Sequence, residues 1–179
     1  KDKLTKSYGK EMMVLSLKFM TTEHEELYNL AKSIAEKTEL NIKEHTDIIN
    51  TLIDILQSLQ PPDSVDDLDG TEFEKYIDCL NSVTNTIFNS FGFTLGKSYG
   101  KVLMNLSMKF IKINHEVFHR LAEKIARMMV LDDKGDKAAF IEVMKMLDGV
   151  LKDDNLPLSS TDTLNSAVKA LIEAGSKSF

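Results

Sequence analysis

The sequence predicts an all-α protein: a tandem duplication of a roughly 90-residue four-helix unit, the two units packed together as a helical bundle. Three observations predict it. Lys6-Ser7-Tyr8-Gly9-Lys10 recurs as Lys97-Ser98-Tyr99-Gly100-Lys101, and 16 of the 31 positions from Lys6 to Glu36 are identical to the residue 91 places on. Self-similarity at a fixed period is the mark of a repeated structural unit. Apolar residues recur three and four apart, which is the spacing of one helix face. No segment alternates apolar and polar residues with period two, so no strand is expected.

The first helix of the first copy carries Leu4, Tyr8, Met12, Leu15 and Phe19 on one stripe, and its counterpart carries Leu95, Tyr99, Leu103, Leu106 and Phe110. The second helix opens at Thr22, with Glu25 three residues on as a capping box, and its stripe is Leu27, Leu30 and Ile34. In the second copy Asn114 is the expected N-cap, ahead of Phe118, Leu121 and Ile125. The third helix runs roughly from Ile42 to Leu59 and stops at Pro61-Pro62, where the ring and the missing N–H end it. The fourth runs from near Thr71 to Phe91-Gly92.

In the third helix identity fades but phase persists. Ile49, Leu52, Ile53, Ile55 and Leu56 fall opposite Phe140, Val143, Met144, Met146 and Leu147. After a short deletion, Asn89-Ser90-Phe91 aligns with Lys177-Ser178-Phe179. The two units are therefore 1–91 and 92–179, in the same phase at both ends. This points to a simple duplication or to two units of a longer array. Phe91-Gly92-Phe93 is too short and apolar for a free linker, so the copies are expected to pack, with a kink at Gly92. Asp63 to Asp69 and Asp153 to Ser160 read as loops. A start at Lys1 rather than Met suggests a processed or excised piece.

Composition narrows the function classes. The chain has 179 residues, 42% hydrophobic and 28% charged, with a net charge of −6. An acidic protein is a poor match to phosphate backbones, so no nucleic-acid partner is expected. Anionic lipid headgroups are disfavoured for the same reason. No apolar run is long enough for a membrane span. Cys79 is the lone cysteine, so no internal disulfide can form. A lone cysteine fits a reducing compartment and a longer repeat array fits an extracellular one, of which the second is preferred.

Candidate chemistry is sparse. His115-Glu116-Val117-Phe118-His119 has the HExxH spacing that puts two zinc-binding histidines on one helix side. Against it, Tyr28 occupies the place of His119 in the first copy, and no third ligand is marked. Gly92-Phe93-Thr94-Leu95-Gly96-Lys97-Ser98 resembles a phosphate loop, but it has three residues between its glycines instead of four and lacks a preceding strand. His24-Glu25 and His115-Glu116 recur in both copies, and a helix start explains them better than a pH-sensitive contact. Asn105-Leu106-Ser107 is a glycosylation sequon inside a helical pattern, read as chance. No catalytic residues, metal or cofactor are expected.

The sequence is expected to encode a non-catalytic helical repeat module with a structural or protein-interaction role, binding a protein partner or itself. An alternative is a carrier of a fatty acid or other apolar small ligand. Its motive is the nine methionines, because thioethers suit irregular apolar pockets. The expected ligand-binding residues are then Tyr8, Met12 and Phe19 in one copy and Tyr99, Leu103 and Phe110 in the other. A zinc hydrolase using residues 115–119 is the least favoured alternative.

Overall fold

The computed structural model describes residues 8–22, 24–40, 46–63, 68–91, 93–131, 134–151 and 161–178, with side chains left undescribed at 91, 93–98, 134–135, 151 and 161. All regular structure among the described residues is helical. In chain order the helices are α1 Gly9–Met20, α2 Glu25–Glu36, α3 Thr46–Ser58, α4 Glu72–Phe91, α5 Phe93–Ile111, α6 Glu116–Met128, α7 Lys134–Leu151 and α8 Thr161–Ser178. The chain separates into two compact units, Lys1–Gly92 and Phe93–Phe179. Among the described residues four of these helices fall in each unit, where they pack together.

Local chemistry sets the helix ends. At the end of α1, Thr21 Oγ1 donates to the Lys18 carbonyl and Thr22 Oγ1 to that of Phe19. These bonds satisfy carbonyls that the finished helix leaves without partners. Thr22 therefore closes α1 and does not open α2 as a capping box. The N-cap of α2 is His24 in extended backbone, followed by Glu25 and Glu26 in the first turn, where the helix dipole favours negative charge. In the second unit the N-cap is His115, one residue beyond the expected Asn114. Thr38 Oγ1 closes α2 on the Ile34 carbonyl. Helix α3 ends at Ser58, ahead of Pro61, and its expected start at Ile42 lies outside the described residues. Gly70 has φ +76, a left-handed turn open to glycine, and delivers the chain to Thr71. The Thr71 hydroxyl then accepts from the Glu74 N–H at the start of α4. The loop expected at 153–160, most of that at 63–69 and Gly92 itself lie outside the described residues.

Within the first unit the extensive contacts are α1 with α2 and α2 with α4, supplemented by α1 with α4 and α1 with α3. Within the second, α5 meets α6 and α6 meets α8, supplemented by α5 with α8 and α5 with α7. The same four pairings thus hold in each unit once the helices are matched in order. The second helix is the hub: it lies against both the first and the fourth.

The buried set of α1 is Gly9, Met13, Ser16, Leu17 and Met20. This is not the stripe of Tyr8, Met12, Leu15 and Phe19 read from the sequence. Helix α1 is apolar on two sides, and helical spacing marks both without saying which side meets the hub. In the second unit Leu103, Leu106 and Phe110 are buried as expected, and Met104, Met108 and Ile111 are buried as well. Of the third-helix stripe, Ile49, Leu52, Ile53 and Leu56 are buried on α3 and Ile55 is half-buried, with Ile48 buried beside them; α4 buries Ile77, Leu80, Val83 and Ile87.

Candidate functional site

The first two helices of each unit carry the most repeated residues, and the structure shows what the repetition preserves. A Cβ added at Gly9 would overlap the Glu39 carbonyl, and one at Gly100 would overlap that of Val130, the residue 91 places on. Ser16 Oγ donates to the Ala31 carbonyl at 2.6 Å, and Ser107 Oγ donates to that of Ala122 at 3.0 Å. Both serines are fully buried and so require a partner. Ala31, Ala35, Ala122 and Ala126 are also fully buried, and their small size lets the two helices come close. The identities between copies are therefore a helix-to-helix clasp. The later alignment is matched as well: Ser90 Oγ donates to the Thr86 carbonyl, and Ser178 Oγ to that of Ala174.

A second face adjoins the clasp, and here the copies differ. In the first unit Tyr8 is 55% exposed, Leu15 42% and Leu30 45%, with Met12, Phe19, Leu27 and Ile34 half-buried. In the second unit Leu106 and Leu121 are 3% and 0% exposed, Leu103, Phe110, Phe118 and Ile125 are buried, and Tyr99 is half-buried. The Phe110 and Phe118 rings stack at 6.0 Å. Of the six expected ligand-binding residues, Tyr8, Met12 and Phe19 thus sit on a surface of α1, whereas Leu103 and Phe110 are core residues.

Beside α1, on its other flank, lies an open groove of about 380 Å³ lined by Val14, Leu17, Lys18 and Thr21 from α1 and Asp47, Ile48, Thr51 and Ile55 from α3. Lys10 and Asp47 pair at 2.9 Å. The ammonium of Lys10 holds the Asp47 carboxyl below its ordinary range.

The HExxH residues have structural tasks. The Val117 N–H donates to His115 Nδ1 at 3.1 Å, so the imidazole caps α6. His119 is fully buried, with Nε2 3.2 Å from the Ile111 carbonyl. Glu116 pairs with Arg120 at 2.5 Å across one helical turn. Thr94 to Ser98, from the phosphate-loop resemblance, lie within α5. Ser107 of the sequon is spent on the clasp. Cys79 is buried in α4 with Sγ 3.2 Å from the Tyr28 carbonyl, and burial pushes its thiol up to about 11. At that value it is an unreactive thiol at neutral pH. Met13, Met20, Met104, Met108 and Met129 are buried.

Sequence reasoning missed the clasp. The signal was present in the identities at Gly9, Ser16, Ala31 and Ala35, but small residues carry no weight in a hydrophobic stripe. No family model, curated protein or solved structure matches the chain.

Proposed function

We propose that the chain is a non-catalytic helical repeat module that binds a protein through the apolar face of α1 and α2 in its first unit. The observation that carries this reading is the contrast between copies. Leu15 and Leu30 stand open where Leu106 and Leu121, their equivalents, are buried. Single exposed leucines are ordinary on a protein surface. Tyr8, Leu15 and Leu30 instead share a face with half-buried Met12, Phe19, Leu27 and Ile34 on two packed helices, which is the make-up of an interaction patch.

The test is the double variant Leu15→Glu, Leu30→Glu. Both positions are exposed, so helicity and melting are expected to change little. Association of the chain with itself or with a captured partner is expected to fall by about tenfold or more, since two apolar anchors are replaced by charge. A wild-type chain that stays monomeric up to about 100 µM and captures the same proteins as the variant overturns the reading.

A second reading, a carrier for a fatty acid or similar apolar ligand, is favoured by the α1–α3 groove, whose size falls within the range of small-ligand pockets. Saturable displacement of a fluorescent fatty acid, weakened by Ile55→Glu, is the expected result for a carrier. Displacement unaffected by Ile55→Glu, or none at all, removes it. No described helix is long and apolar enough to cross a membrane.

A further inference from the structure

Among the described residues His119 is the one buried histidine, and its site is specific. It lies on α6, the hub of the second unit. Its side chain is fully buried, with Nε2 at 3.2 Å from the Ile111 carbonyl. That carbonyl can only accept, so Nε2 carries the proton and Nδ1 is bare. Nδ1 is buried and has no hydrogen-bond partner among the described residues. A neutral imidazole fits this site. A second proton would place a charge in the interior, which is costly.

The surroundings offer little to offset that cost. On its own helix, His115 opposes a charged ring and Glu116 favours it. From the α5 side, the carbonyls of Ile111 and Ile113 favour the charged form, while Lys109 is half-buried and Lys112 exposed. Helix α8 turns Leu164, Ala167, Val168 and Leu171 inward and keeps Asp162, Lys169, Glu173 and Lys177 on the exposed side. Burial outweighs the favourable groups and holds the imidazole below its ordinary value.

The first copy has Tyr28 at the matching position, 7% exposed, with its ring 5.6 Å from that of Tyr76. A phenol in that place gains no proton between neutral and mildly acidic pH.

We propose that His119 is a proton-operated latch: uptake of a proton at mildly acidic pH loosens the second unit and leaves the first, with Tyr28 in that place, closed. The direction follows from linkage. The unfolded chain's histidine titrates near 6.5, above the folded one, so the unfolded state holds more protons as pH falls. The stabilisation is complete above about 6.5 and declines below it until the folded ring also protonates. The conformational consequence is local to α5, α6 and α8, whose buried faces meet around α6.

Two measurements test this. Proton NMR of the four histidines in the wild-type chain should place one imidazole clearly below the ordinary value, and His119→Phe should remove that signal. Amide-exchange protection factors, compared at pH 7.5 and 5, should fall about tenfold or more in α5, α6 and α8 and much less in α1, α2 and α4. His119→Tyr, the residue the first copy uses, should abolish the difference between units. If His119 titrates at or above 6.5, the proposal is wrong. It also fails if both units lose protection equally, or if the tyrosine variant keeps the acid response.

Discussion

Replacing Gly9 or Gly100 by alanine is expected to destabilise its own unit by about 2–3 kcal/mol, although alanine is the better helix former by about 1 kcal/mol. The added methyl meets a backbone carbonyl, Glu39 in one unit and Val130 in the other, and neither carbonyl can rotate away as a side-chain end would. Relief requires α1 to part from the segment that follows α2, or α5 from the segment that follows α6, which strains the buried serine bonds as well. Gly149 is the control. It sits in α7 with nothing within 4 Å of an added Cβ, so Gly149→Ala should stabilise by about 0.5–1 kcal/mol. Urea unfolding followed by circular dichroism checks all three. Equal effects at Gly9, Gly100 and Gly149 would show that the glycines of the repeated motif are not there for close approach.

The second large effect is an inequality between equivalent residues. Phe110→Ala should cost about 3–5 kcal/mol, because a fully buried ring stacked on Phe118 leaves a cavity. Phe19→Ala should cost about 1–2 kcal/mol, because its ring is only half-buried and surrenders less burial. Denaturant midpoints of the two variants decide the matter. Equal losses would mean that the face of α1 and α2 is covered in solution. Association of the chain would then have to be measured alongside.

How much of this was legible follows from what each signal measures. Helix type was readable in the described elements, since spacings such as Ile49, Leu52, Ile53 and Leu56 persist for whole turns. The repeat was readable as identity. The buried side of α1 was not: Met13, Leu17 and Met20 form one apolar side and Tyr8, Met12, Leu15 and Phe19 another, and only contact with α2 distinguishes them. The helix caps at His24 and His115 were misplaced because histidine is an uncommon cap, and Thr22 and Asn114 nearby drew the assignment. The candidate ligand residues were chosen by stripe alone. A stripe cannot foretell that Leu103 and Phe110 would be core while Tyr8 stays at the surface.

The clasp also bears on the order in which a unit acquires its structure. Gly9 meets Glu39 thirty positions on and Ser16 meets Ala31 fifteen positions on, so a helical hairpin can close after a short loop search. The fourth helix must come from farther along the chain to reach the hub. Contacts of low sequence separation form fastest, so the hairpin is the natural nucleus and the docking of the fourth helix the later step. During synthesis the hairpin of the first unit would close once roughly forty residues had left the ribosome, before the third helix, which ends ahead of Pro61, was complete. Variants at Gly9 or Ser16 should then slow folding of their unit, whereas variants of the fourth helix at Val83 or Ile87 should chiefly hasten its unfolding.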